Sequence, residues 1–101
     1  MIVHSRLDSR HLASNLLGDP SKRDMFVYLP PGYEATDRRY PTAYLLHALG
    51  DSAASHITPP TDGQRWVAPL EDVLDPVFGR LGVPPVIVVI PDGWSSYGCG
   101  Q

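Results

Sequence analysis

The sequence predicts an α/β fold that contains a parallel pair of buried strands, and three observations support this prediction. Segments 42–47 and 86–90 are short apolar runs, the pattern of strands that are covered on both faces. Between them, apolar residues recur at helical spacing over 66–81. A strand, a helix and a second strand in this order form a βαβ unit, whose crossover is expected to be right-handed.

The segment before this unit predicts further strands. Residues 1–17 mix single apolar residues with polar ones and predict one or two edge strands, followed by a turn at Gly18-Asp19-Pro20. Residues 23–30 predict a strand because they are rich in aromatic and β-branched residues. Pro30-Pro31-Gly32 then ends that strand.

The predicted helix has a stripe of apolar residues that we expect to belong to the core: Trp66, Val67, Leu70, Val73, Leu74, Val77, Phe78 and Leu81. Pro69 is acceptable in a first turn. Pro76 predicts a kink, or a restart of the helix with Asp75 as its N-cap. Gly82 closes the helix, and Pro84-Pro85 prevent its continuation.

The strand at 86–90 needs more covering layers than the predicted elements provide. Its consecutive apolar residues need a covering layer on each face, and one crossover helix covers only one. We therefore expect residues 1–101 to be the N-terminal part of a single larger α/β domain. The remainder of the same polypeptide, or another copy, would complete its sheet. The alternative is a self-contained domain whose N-terminal segment covers the second face.

Composition excludes several classes of function. The 101 residues are 43% hydrophobic and 19% charged, so the chain can build a core. The net charge is −3 and there is no run of lysine or arginine, so we expect no nucleic-acid partner. No apolar stretch is long enough for a signal peptide or a membrane span. The lone Cys99 fits a reducing compartment, and we expect a cytoplasmic protein.

The segments that follow the two buried strands are the candidate site loops. Ligands bind outside the carboxyl ends of the strands in open α/β sheets. Here those ends lead into 47–51 and 91–98, which are rich in small residues that let backbone N–H groups approach a ligand. A tight turn of this kind can direct an N–H group at a developing negative charge, as in an oxyanion hole.

Three stretches in this order resemble one family of enzymes, and they read VYLPPGY, YPTAYLLHALGDS and PPVIVVIPDGWSSYG. They are similar to the opening of an esterase branch of the α/β-hydrolase fold. This branch includes esterase D-like, feruloyl-esterase-like and enterochelin-esterase-like enzymes and the mycolyltransferases. The resemblance covers about Ser9 to Gln101. It implies an α/β-hydrolase-type mixed, mostly parallel sheet with helices on both faces, of which this chain supplies the N-terminal part.

The resemblance also implies roles for residues 47–50. In the family, a strand-ending His-Gly-x-Gly-type turn offers the backbone N–H of its third residue to the oxyanion hole, and Leu49 holds that position here. Ala48 stands where the family usually has glycine, and alanine costs about 1 kcal/mol if the backbone there needs a positive φ. His47, Ala48 and Gly50 are expected to lie against the substrate.

Several side chains in these loops have alternative roles. His47 is expected to orient the turn by hydrogen bonding, in preference to a direct role in catalysis. A metal site with Asp51 and His56 is disfavoured, because these residues do not share a helix face. Trp94 and Tyr97 either line a pocket for an acyl or aromatic group or anchor their loop on the strand ends. The Asp92 side chain is expected to cap its loop through an Asx turn.

No serine of the chain lies in a G-x-S-x-G nucleophile motif. Around Ser95, Tyr97 stands where the motif has its second glycine. Around Ser96, Trp94 stands where the motif has its first glycine. No aspartate or histidine follows Ser96, so a triad in the family's order cannot be completed within residues 1–101. We expect the nucleophile, the acid and the histidine beyond residue 101, and an open edge on strand 42–47.

The resulting hypothesis is a serine carboxylesterase that acts on a small-molecule ester through an acyl-enzyme, without a metal or organic cofactor. Residues 1–101 would supply the oxyanion-hole half of the site and would be inactive alone. One alternative is an acyltransferase on the same scaffold. Another is a non-catalytic protein that self-associates through its open sheet edge.

Overall fold

Four strands form a mixed sheet in the computed structural model, which describes residues 1–48, 51–58, 68–80 and 82–96. The strands are β1 (Ile2–Asp8), β2 (Lys22–Tyr28), β3 (Thr42–Tyr44) and β4 (Ile87–Pro91), in the spatial order β1-β2-β4-β3. The described residues also contain one α-helix, α1 (Leu70–Arg80), and two short 3-10 helices, Tyr33–Ala35 and Ala53–His56.

The first two strands form an antiparallel pair in which Ile2 lies opposite Tyr28. β1 is an edge strand, as residues 1–17 predict. The connection to β2 turns at Gly18, whose φ of +70° lies in the left-handed region that favours glycine. The Asn15 side chain stabilises this connection, because its amide donates to the carbonyl of Asp19 at 2.7 Å.

The predicted βαβ unit is present as β3, α1 and β4. β3 and β4 are parallel, with Tyr44 opposite Val89, and the N–H of Leu45 donates to the Val89 carbonyl at 2.9 Å. On its other side β4 pairs antiparallel with β2. The predicted mixed sheet is therefore confirmed. Parallel pairing, which was expected to predominate, is limited to β3 and β4 among the described residues.

The helix is continuous where the sequence predicts an interruption. α1 runs from Leu70 to Arg80 through Pro76, without a restart at Asp75. The Asp75 carboxylate does not cap a helix and instead accepts a hydrogen bond from the Tyr28 hydroxyl at 2.6 Å. This bond joins the middle of α1 to β2, so tertiary contact outweighs the local preference of proline.

The core lies on the face of the sheet that α1 covers. On this face Phe26 lies opposite Ile90 and Tyr28 lies opposite Val88, and all four side chains are buried. Burial of such a side chain contributes about 1.5–3 kcal/mol. The Tyr28 ring also lies 6.3 Å from the ring of Phe78 on α1.

The apolar stripe of α1 is less buried than predicted. Three of its residues are partly buried against the core: Leu70, Leu74 and Phe78. Val73 is 47% exposed, and no residue of α1 is fully buried. The predicted stripe residues Trp66, Val67 and Leu81 lie outside the described residues.

The opposite face of the sheet has less cover. Val27 and Val89 lie opposite each other there and are half-buried, and Val3 is 40% exposed. In the described residues, β4 is buried only on the face of Val88 and Ile90, and the alternate residues are partly buried. Cover on both faces of strand 86–90 stays a prediction for the larger domain. β1 extends the sheet at its edge, so this strand does not supply the missing layer.

β3 is shorter and more exposed than the predicted strand 42–47. It spans Thr42–Tyr44, and all three of its residues are exposed because β3 is the edge strand of the described sheet. Tyr44 is 71% exposed and Leu46 is 67% exposed. The expected open edge is thus present in the described part of the chain.

Candidate active site

The two predicted loops meet at one edge of the sheet. β3 and β4 are parallel, so their carboxyl ends lie side by side. His47 follows the end of β3, and Asp92-Gly93 directly follows β4. This is the edge at which open α/β sheets bind ligands.

His47 links the two loops through its imidazole ring. Only 8% of the residue is exposed, and Nε2 accepts a hydrogen bond from the Gly93 N–H at 2.9 Å. Because Nε2 is the acceptor, the proton of the neutral ring is on Nδ1, which lies 3.1 Å from the Ala48 carbonyl oxygen. The predicted role of His47 in orienting the turn is supported by this arrangement.

Asp92 organises the loop after β4. Its carboxylate accepts a hydrogen bond from the Trp94 N–H at 3.2 Å, which is the predicted Asx turn. The same carboxylate lies 3.3 Å from Nε2 of His47. The backbone N–H of Asp92 donates to the Asp24 carbonyl on the neighbouring strand β2 at 3.0 Å. The loop is therefore held from two sides.

The segment after His47 is held by short-range hydrogen bonds. The Ala48 carbonyl accepts from the Asp51 N–H at 3.0 Å, and Ser52 caps the 3-10 helix Ala53–His56. Ala53 is buried in the core, whereas Ala48 is exposed. Leu49 and Gly50 lie outside the described residues, so the oxyanion role of Leu49 and the substrate contact of Gly50 stay predictions.

His56 is a second histidine near this edge. Burial lowers the pKa of His56 below its usual value. Its Nε2 is buried and has no hydrogen-bond partner among the described residues. No three histidine, cysteine, aspartate or glutamate side chains in the described residues lie close enough to hold a metal ion.

Trp94 lies at the wall of a cavity beside these loops. The cavity has a volume of about 290 Å³, and its wall combines the loop after β4 with the leucine-rich segment 12–17. The Trp94 residue is 40% exposed, and its carbonyl accepts a hydrogen bond from Nη1 of Arg23. Trp94 thus both lines a pocket and is anchored through its backbone, whereas Tyr97 lies outside the described residues.

Arg23 is a functional candidate that sequence reasoning missed. It is the second residue of β2, only 9% exposed, and lines the same cavity. One signal was available: an arginine alternates with Met25 and Val27 on one face of the strand, where a charged residue is unusual.

The comparisons with known proteins support the fold. No family model matches the chain, and no curated protein matches it. A solved structure of a ferulic acid esterase is similar at 22% sequence identity, with a TM-score of 0.65. The match covers 95% of this chain and 32% of that chain, so residues 1–101 span about a third of the esterase. The chain therefore shares its fold with a part of that enzyme. In the described residues, no helix has the length and apolar character needed to cross a membrane.

Proposed function

We propose that this chain supplies the oxyanion-hole half of the active site of a serine carboxylesterase. The observation that carries the proposal is the hydrogen bond between His47 and Gly93, which joins the residue at the start of the turn after β3 to the loop after β4. The fold shared with part of a ferulic acid esterase gives independent support. A preorganised turn at the carboxyl edge of the sheet is what stabilisation of a tetrahedral intermediate requires.

In the proposed reaction, a serine from outside residues 1–101 attacks the ester carbonyl carbon. A histidine takes the serine proton as the C–O bond forms and delivers it to the leaving alcohol as the tetrahedral intermediate collapses. Water then attacks the acyl-enzyme and releases the carboxylic acid. The N–H of Leu49 and the N–H after the serine hold the oxyanion in both steps, and each such donor contributes about 3–4 kcal/mol.

The nucleophile, the acid and the histidine base come, in this proposal, from the remainder of a longer polypeptide or from another copy. The partly covered sheet face around Val27 and Val89 and the open edge of β3 are where the completing elements would pack. The substrate is a small-molecule ester, and the chemistry needs no metal or organic cofactor. We further propose a cytoplasmic location.

The test is an ester-hydrolysis assay of the complete natural protein that contains residues 1–101. We expect turnover of p-nitrophenyl butyrate and of an aromatic methyl ester, and inactivation by a fluorophosphonate that labels one serine outside this segment. Residues 1–101 alone should show no turnover. If the complete protein hydrolyses no ester, the proposed esterase activity is refuted. If residues 1–101 alone show inhibitor-sensitive turnover, the proposal that the nucleophile lies outside this segment is refuted.

Two other functions have specific support. An acyltransferase would use the same scaffold but resolve the acyl-enzyme with an alcohol, so product analysis with added alcohols distinguishes it. Self-association through β3 is favoured by the exposed Tyr44 and Leu46 beside the open edge. A catalytically silent complete protein that forms stable oligomers would favour that second function.

A further inference from the structure

Arg23 is a buried cation that forms no ion pair with any described residue. The residue is 9% exposed, and none of the carboxylates in the described residues lies within ion-pair distance of it. Nη1 donates to the Trp94 carbonyl, while Nε is buried and has no hydrogen-bond partner in the part of the chain that the structure describes. Buried arginines are almost always paired, because an uncompensated charge and an unmade hydrogen bond both cost free energy.

The cavity beside Arg23 has the size and lining of a small-ligand site. Its volume of about 290 Å³ is near the lower end of the range for ligand pockets. Four of its ten lining residues have apolar side chains, Leu12, Leu16, Leu17 and Trp94, and five have polar or charged ones. A single ring or a short alkyl chain fits such a space, and Arg23 is the cationic residue in the lining.

Two carboxylates also line the cavity, and the structure shows how each is occupied. The Asp19 carboxylate accepts from the Ser96 N–H at 3.2 Å, and the Asp92 carboxylate accepts from the Trp94 N–H at 3.2 Å. Both are therefore used to fix the loop after β4. Their negative charge disfavours a multiply charged anion such as phosphate more strongly than an anion with a single charge.

We propose that this cavity binds a small apolar molecule that carries one carboxylate group. The carboxylate accepts hydrogen bonds from the Arg23 guanidinium, and the apolar body lies against the leucines and Trp94. A carboxylate matches the geometry and charge of a guanidinium better than a neutral carbonyl does. The site stands on the burial of Arg23 and the cavity alone, and does not depend on the esterase proposal.

The test is calorimetric or NMR titration of the full natural chain with phenylacetate and with its neutral isostere phenylacetamide. We expect phenylacetate to bind with a dissociation constant of about 1 mM and phenylacetamide to bind at least tenfold more weakly. Arg23→Gln should lower the affinity for phenylacetate at least tenfold. Equal affinities for the two probes, or no binding of phenylacetate to the unmodified protein, would overturn the proposal.

A second variant keeps the test decisive if Arg23→Gln fails to fold. Leu17 lines the cavity and is 46% exposed, so Leu17→Glu places a negative charge at the site without emptying the core. We expect it to weaken phenylacetate binding at least tenfold and to leave the melting temperature unchanged. The matched control Val73→Glu, on α1 outside the cavity and 47% exposed, should bind as the parent does. Unchanged binding by Leu17→Glu would place phenylacetate elsewhere and refute this site.

Discussion

The backbone N–H of Gly93 donates to Nε2 of the buried His47 at 2.9 Å, across the carboxyl ends of β4 and β3. This bond connects two loops that are 46 residues apart in sequence. A change at His47 should therefore affect both stability and the geometry of the proposed site.

His47→Ala should lower the free energy of unfolding by about 1–3 kcal/mol, because it leaves the Gly93 N–H without its partner in a partly buried setting. Urea denaturation monitored by circular dichroism measures this. His11→Ala, which changes an exposed histidine, is the control and should have little effect. Equal stability of the two variants would show that the imidazole does not hold the loops together.

Leu49→Pro should reduce kcat of the proposed complete esterase by at least about a hundredfold, since proline has no N–H to offer an oxyanion. The nucleophile should still react with a fluorophosphonate. Leu49→Ala, which keeps the N–H, should retain most of the activity. If both variants lose activity equally, or if neither does, the backbone of Leu49 has no such role.

Tyr28→Phe should lower the free energy of unfolding by about 1.5–3 kcal/mol, the range for hydrogen bonds to charged groups, because the fully buried Tyr28 hydroxyl donates to the Asp75 carboxylate. Tyr40→Phe is the control. A double-mutant cycle with Asp75→Asn separates this bond from other effects. Additive losses in that cycle would mean that the two groups do not interact.

The raised pKa of Tyr28 predicts that the stability of the fold decreases at alkaline pH. Burial, followed by the hydrogen bond to Asp75, raises its pKa above the usual value of 10.0. A group whose pKa is higher in the folded state stabilises that state fully below its unfolded pKa, and the contribution is lost as pH rises above it. The free energy of unfolding should therefore fall above about pH 10 more steeply for the parent than for Tyr28→Phe. If the free energies of unfolding of the parent and of Tyr28→Phe fall in parallel with pH, the raised pKa of Tyr28 is contradicted.

The lowered pKa of Asp24 predicts that the stability of the fold decreases at acid pH. Its hydrogen bond to His4, and then that to Arg6, lower the pKa of Asp24 below the usual value of 3.8. The stabilisation is present above that value and is lost as pH falls through the lowered pKa. NMR titration of the Asp24 carboxyl carbon should show a midpoint below 3.8. A midpoint at or above 3.8 would contradict the lowered pKa of Asp24.

The parts of the fold that local chemistry specifies were predictable from the sequence. The strand near 23–30 and the strand near 86–90 follow from β-branched and aromatic residues bounded by proline and glycine, and both are present. The turn at Gly18 and the Asx turn at Asp92 have local signals of the same kind. The placement of His47 beside Gly93 followed from the rule that parallel strands end at the same edge.

The features that the sequence did not predict depend on contacts between residues that are distant in the chain. The Tyr28–Asp75 bond spans 47 residues, and no local signal indicates that Asp75 holds a hydroxyl instead of capping a helix. Burial of one face of β4 depends on which layer covers the sheet, whereas an apolar run shows only that a strand tolerates burial. Arg23 was missed because its burial depends on the loop at Trp94, which is 71 residues away.

The central position of β4 between β2 and β3 has a consequence for the order of folding. The β1–β2 pair can assemble as soon as β2 has emerged from the ribosome, because both partners are close in sequence. β3 is synthesised next, yet its described neighbour is β4, which follows more than forty residues later. At ordinary synthesis rates β3 therefore waits for seconds without its partner, which is when a chaperone would have most effect on the yield of native protein.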